Sequence, residues 1–208
     1  ADKCNAGTTQ AKGSICLFYN DDVLPTQKDW LDRLLDLLEL PDVGSVSPML
    51  TRPDQMIQYA GMVTGTPGLV GTAFNGYPAD DYIYSVFNHL LLRDVTVLSG
   101  ACFAIKKGVF EEVGGFDSLH TPNGHSDVDL SFKIIDKGYY NVYTPYSTLV
   151  HMGNHTWHET AKKDKSDIYC LKHWNRYLSR DRLFTDSQKE MYYTDFRYLY
   201  KIYSPREV

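Results

Sequence analysis

The run Ser14-Ile15-Cys16-Leu17-Phe18-Tyr19-Asn20-Asp21-Asp22 passes from an almost unbroken apolar segment straight into an amide and two carboxylates. A strand that has lost in/out alternation reads as buried on both faces, as in parallel sheets that carry helices on both sides. In open α/β sheets, ligands bind beyond the carboxyl ends of the strands. Asn20, Asp21 and Asp22 are therefore expected at the mouth of a ligand crevice. Adjacent carboxylates repel each other and are costly to dehydrate unless a cation or a set of donors compensates them. A hard divalent metal is the natural compensator. The competing reading is that Asp21 and Asp22 merely cap the next helix or close an Asx turn.

Strand and helix patterns alternate along the rest of the chain. Trp30, Leu31, Leu34, Leu35, Leu37 and Leu38 fit a 3.6-residue period, with Thr26 and Asp29 as a capping-box-like start and Pro41 as the stop. Residues 44–50 read as a short strand, and the glycine-rich stretch 61–76 as a loop or hairpin. Residues 94–105 form a long β candidate, broken or bulged near Gly100. Residues 109–113 make one helical turn, closed by Gly114-Gly115. In 127–137 the residues Val128, Leu130, Phe132 and Ile134 alternate as in a strand, but Gly138 stands where a helix C′ glycine belongs. The segment is read as a helix. A last strand over 140–150 leads into His151, and a polar, His-rich stretch and a tyrosine-heavy tail follow. The fold class expected is α/β, a mixed sheet with flanking helices.

Composition narrows the function classes. A chain of 208 residues that is 43% hydrophobic can bury one substantial core. Its net charge of −5 argues against nonspecific nucleic-acid binding, which runs on basic patches. No apolar run approaches the ~20 residues that span a bilayer, and the opening residues lack the apolar core of a signal peptide. Cys4, Cys16, Cys102 and Cys170 show no C-x-x-C spacing, so they read as reduced thiols rather than zinc ligands. The expected compartment is the cytoplasm. A peripheral contact with the inner membrane face is a minority reading of the tail, where Arg197, Lys201 and Arg206 supply the positive charge.

Four ordered blocks carry a resemblance: N-A-G-T-T-Q-A-K-G-S-I-C-L-F-Y-N-D-D (5–22), V-G-G-F-D (113–117), S-D-V-D-L-S-F-K-I (126–134), and the strand ending at His151. Together they resemble the family-two glycosyltransferases, most closely the bacterial rhamnosyltransferase-type members. The resemblance covers roughly residues 5–175 and implies a GT-A fold, Rossmann-related, with inverting transfer of a sugar from a nucleotide-diphosphate donor to a saccharide or lipid-linked acceptor. Two departures stand out. The metal motif is Asn20-Asp21-Asp22 instead of a strict D-x-D, and Ser126 occupies the place where the family usually has Glu. The fold so implied holds its nucleotide with strands that precede the metal motif. The chain starts 19 residues before it, so two or three units at ~30 residues each are expected to lie elsewhere. The sheet is thus expected to be incomplete at its N-terminal side, with a bare edge that favours self-association into a homo-oligomer. Residues 1–155 are expected to hold the metal motif and acceptor side, and 156–208 a lid segment and helical extension.

The resemblance assigns roles residue by residue. Asp22 matches the last carboxylate of the metal motif, and a Mn2+ or Mg2+ ion there would stabilise charge on the leaving diphosphate. Asn20 or Asp21 could bond the ribose or the metal shell. Asp127 matches the family's catalytic carboxylate, the base that takes the acceptor proton. Asp129 could take that part instead, since a helix aims the two side chains about 200° apart and only one can face the crevice. The alternative for both is helix-dipole electrostatics. His151 ends an apolar strand as Asp22 does, and imidazole joins carboxylates on manganese-type ions; a hydrogen-bonded loop histidine is the plainer reading. A zinc cluster of His151, His155 and His158 is disfavoured, because the spacing lacks the zincin Glu and includes Gly153. Residues 152–165 read better as a lid over donor and acceptor. Ser99 and Gly100 either line the donor-sugar pocket or form a structural bulge. The rival class is a noncatalytic carbohydrate-binding or scaffold module derived from the same fold.

Overall fold

The computed structural model of the chain describes residues 1–66, 69–80, 89–153 and 165–183. Helix α1 (Asp2–Gln10) precedes β1 (Ile15–Tyr19), β2 (Val23–Pro25), α2 (Trp30–Leu38), β3 (Val43–Thr51) and β4 (Ile57–Tyr59). A small hairpin of β5 (Met62–Val63) and β6 (Gly71–Thr72) follows, then β7 (Arg93–Asp94), β8 (Cys102–Lys106), α3 (Lys107–Glu112), α4 (Ser126–Asp136) and β9 (Tyr140–His151). Two short helices, α5 (Ser166–His173) and α6 (Asn175–Leu178), complete the described chain.

The main sheet has seven strands in the order β1-β8-β3-β9-β2, with β4 added to β3 and β7 to β9. Strands β3 and β9 are parallel, and β8 is antiparallel to both β1 and β3. Consequently β1, β3 and β9 all point the same way, and their carboxyl ends share one rim of the sheet. Strand β8 runs against them, so its first residues lie on that rim too, with Cys102 opposite Tyr19.

Strand β3 is the one buried along its whole length, because it lies between β8 and β9 under helices on both faces. On one face Leu34 and Leu38 of α2 close over Val46, Ala104 and Val142. The other face is broader, with Phe103, Phe110, Phe116, Leu130, Ile134 and Tyr143 in one cluster. Val128 and Phe132 of α4 meet Cys170, Trp174 and Leu178 in a further cluster, which places residues 165–183 against α4.

Strand β1 differs from expectation. It is an edge strand paired antiparallel with β8, and Leu17 and Tyr19 are each 38% exposed. Its continuous apolar run has another cause. Phe18 packs on Phe103, Phe110 and Phe116 on one side, while Tyr19 reaches Trp30 of α2 on the other at 5.6 Å between ring centres. Helix α1 was not anticipated. It is held from outside by Asn5, whose amide donates to Phe116 O (2.9 Å) and Ser118 Oγ (3.2 Å) and accepts from Phe116 N (3.0 Å). Thr26 does not cap α2. Its hydroxyl donates to Thr148 O at 2.6 Å, and the helix starts after Asp29, which pairs with Arg33. The expected break near Gly100 is wider than a bulge, since residues 95–101 leave the ladder between β7 and β8. Helix α4 and its glycine stop are as expected, with Gly138 at φ +89°. The tyrosine-heavy tail, residues 154–164 of the expected lid, and His155 and His158 lie outside the described residues.

Candidate active site

The shared rim gathers the residues that the sequence singled out, Asp129 excepted. Asn20, Asp21 and Asp22 form the turn between β1 and β2, with Asn20 and Asp21 exposed and Asp22 half-buried. Asn20 N donates to Ala101 O at 2.9 Å, which ties this turn to the start of β8. Val23 pairs with His151 in the β2–β9 register, and Met152 N donates to Asp22 O at 2.9 Å. That backbone pairing brings Asp22 Oδ1 to 3.3 Å from His151 Nε2.

Gln58 on β4 completes this corner, and nothing in the sequence signalled it. Its Oε1 lies 2.6 Å from His151 Nδ1. An oxygen can only accept, so Nδ1 carries a proton and Nε2 is the ring atom turned toward Asp22. Nε2 and the Asp22 carboxylate oxygen face each other at 3.3 Å, an ion pair when the ring is protonated and two possible cation ligands when it is not. The donor set, one carboxylate oxygen and one imidazole nitrogen, fits manganese and similar divalent ions. Among the described residues no group of three His, Cys, Asp or Glu side chains converges, so further positions would fall to substrate oxygens and water.

Asp127 stands one step along the rim. Its Oδ2 accepts from Gly100 N at 2.8 Å and its Oδ1 from Val128 N at 2.9 Å. A Cβ added at Gly100 would sit 3.2 Å from Asp127 Oδ2, so the glycine permits the close approach. Burial pushes the Asp127 carboxyl above the usual carboxylate range, while the Gly100 amide, the nearby His125 and the Val128 amide restrain the rise. Ser99 is buried next to it, its Oγ accepting from Ala101 N at 3.3 Å. Gly100 and Ala101 thus join the Asn20–Asp22 turn to the first turn of α4.

Asp129 is placed differently. It is fully buried, accepts from Trp174 Nε1 at 2.8 Å and lies 2.7 Å from Lys133 Nζ. The helix turns it toward α5 as it turns Asp127 toward Gly100. His125 is a residue that sequence reading passed over, although it holds the left-handed conformation (φ 56°) that starts α4. Asp117 of the V-G-G-F-D block is a turn former. Burial alone would raise its carboxyl, but the backbone and ring N–H groups of His120 and the Leu119 amide outweigh this and hold it at about 2.

No family model matches the chain. An uncharacterized protein, y4gI, of Sinorhizobium fredii is 37% identical over 164 residues, spanning 78% of this chain and 17% of that protein. The O-antigen biosynthesis protein RfbC of Myxococcus xanthus is 32% identical over 176 residues, 84% of this chain and 13% of RfbC. An N-acetylglucosaminyl-diphospho-decaprenol L-rhamnosyltransferase of Mycobacterium tuberculosis is 27% identical over 157 residues, 71% of this chain and 49% of the enzyme. Among solved structures, GalNAc-T7 with UDP, GalNAc and Mn2+ superposes with a TM-score of 0.58 at 15% identity, over 94% of this chain and 42% of that one. The mannosyltransferase PcManGT from Pyrobaculum calidifontis, with GDP-Man and Mn2+, gives 0.50 at 19% identity, over 86% and 48%. The chain has the GT-A glycosyltransferase fold, and one of the relatives it matches in sequence is a rhamnosyltransferase. This GT-A chain spans half or less of the length of each protein named here. No helix among its described residues is long and apolar enough to cross a membrane.

Proposed function

We propose that the protein carrying this chain is an inverting, metal-dependent glycosyltransferase that moves a sugar from a nucleotide-diphosphate donor to a saccharide or lipid-linked saccharide acceptor in bacterial polysaccharide assembly. The observation that carries the reading is the single rim holding the Asp22–His151 pair and the Gly100-bound Asp127. Asp22 and His151 would hold the divalent ion, with Gln58 fixing the ring so that Nε2 faces inward. When bound, the ion supplies positive charge beside the leaving diphosphate. Asn20 and Asp21, exposed on the same turn, are placed to meet the ribose or water around the ion.

Asp127 is the base of the proposal. The acceptor hydroxyl attacks the anomeric carbon from the face opposite the diphosphate, its proton passes to an Asp127 oxygen, and the carbon–phosphate oxygen bond breaks with its electrons leaving on the diphosphate. A carboxyl lifted above the usual range by burial is a better base than an exposed one. Being needed deprotonated, it makes kcat/KM fall as pH drops through that raised value. Asp129 is already committed to Trp174 and Lys133, so the base role goes to Asp127.

The test uses the full polypeptide with nucleotide-diphosphate sugars of rhamnose, mannose and N-acetylgalactosamine, with Mn2+ or Mg2+. Asp127→Asn keeps the shape but cannot take the proton, so turnover should fall by about 10²–10⁴ with donor affinity held. Turnover within a few-fold of wild type would remove Asp127 from the base role. Binding of sugars with no transfer under any metal would favour the noncatalytic module.

A further inference from the structure

Helix α4 is fastened on two opposite sides of its first turns. On the sheet side, Gly100 N donates to Asp127 Oδ2, Leu98 N donates to Ser131 Oγ at 3.0 Å, and that hydroxyl donates to Asp127 O at 2.6 Å. On the far side, Trp174 Nε1 donates to Asp129 Oδ1 at 2.8 Å, and His125 Nδ1 lies 2.9 Å from Ser166 Oγ. The far-side partners are sealed from solvent, with Asp129 0%, Ser166 1% and Trp174 4% exposed. Asp129 also faces Lys133, whose ammonium donates to Gly115 O at 3.2 Å, so the carboxylate links Trp174 at the α5–α6 junction, α4 and the Gly114-Gly115 turn.

A buried carboxylate is a costly way to hold two helices together. Phe132 already stacks on Tyr177 at 5.1 Å and packs on Trp174 at 5.6 Å, and apolar contact alone would dock the segment. What a directional N–H to carboxylate bond adds is orientation. It fixes the rotation of α4 about its own axis, and that rotation decides where Asp127 points, two residues earlier on the same turn.

We propose that Trp174 and Asp129 are a positioning pair for the proposed base: the indole N–H holds α4 in the rotation that presses Asp127 against the Gly100 amide. The claim rests on the reading of Asp127 as base, and it makes residues 165–183 part of the working site. Trp174 touches no reacting atom; it acts through α4.

Trp174→Phe keeps a large ring and deletes the donor. In the full polypeptide kcat should fall roughly 10- to 100-fold, the scale of a reacting group displaced by an ångström, with KM for donor and acceptor unchanged. In the same protein the Gly100 amide proton should move upfield by NMR as its bond to Asp127 lengthens. Asp129→Asn, which keeps the shape and loses the charge, should shift both readouts in the same direction and stands in if Trp174→Phe does not fold. In an Asp127→Asn background, Trp174→Phe should cost nothing further. Unchanged kcat with an unmoved Gly100 resonance in either folded variant overturns the proposal, as does a full additional loss in the Asp127→Asn background. Normal turnover in Asp127→Asn alone overturns the base assignment, and the Gly100 resonance then still decides whether Trp174 positions that carboxyl.

Discussion

At the scale of single residues, the site is defined by which atoms of each side chain are already engaged. His151 shows this most plainly. Gln58 engages Nδ1, so only Nε2 is turned to Asp22. If the pair holds a divalent ion, Mn2+ should raise the melting temperature of the protein, because a ligand that binds only the native state stabilises it by mass action. Asp22→Ala should abolish that shift while the metal-free melt stays close to wild type, since Asp22 lies half-buried at a turn. An undiminished Mn2+ shift in the variant would exclude Asp22 as a ligand. Asp22 and His151 stood out in the sequence because each follows an apolar strand with a polar group, whereas Asp127 was singled out by the family resemblance of its block. Gln58 and His125 were not, because a lone polar residue on a short strand and one in a loop carry no pattern.

At the scale of elements, periodicity identified α2, the Gly138 stop decided for a helix in α4 where apolar alternation suggested a strand, and apolar runs marked β3 and β9. Helix α1 escaped because its own residues do not specify it: of its nine residues Thr8 alone is buried. Its position is set by Asn5, which bonds both backbone groups of Phe116 and the Ser118 hydroxyl. Asn5→Ala should therefore destabilise the protein by about 1–3 kcal/mol, the cost of leaving such groups unpaired. Chemical denaturation would read it as a lower midpoint at constant slope. An unchanged midpoint would mean that α1 is an ornament on the V-G-G-F-D turn. Strand β1 shows the opposite error: its apolar run was read as burial on both faces, but edge position leaves Leu17 and Tyr19 exposed.

For the molecule as a whole, the described chain has a sheet-centred core and a second cluster where residues 165–183 meet α4. The free thiols sample both. Cys16 and Cys102 lie in the sheet core and Cys170 in the second cluster, all buried, and burial pushes the Cys102 and Cys170 thiols up to about 12. The thiolate is the reactive form, so burial blocks these groups twice. A thiol reagent in native buffer should modify Cys4 first, then Cys170, with Cys16 and Cys102 waiting for global unfolding. Cys102 reacting as fast as Cys170 would show that the two clusters open together. Sequence alone determined the class of the fold and the chemical types at its rim, because hydrophobic period and abrupt polar ends are local properties of a chain. Only the tertiary structure decided which of Asp127 and Asp129 faces the rim. Both lie in the first turn of one helix, and the choice depends on Gly100 on one side and Trp174 on the other, 27 and 45 residues away along the chain.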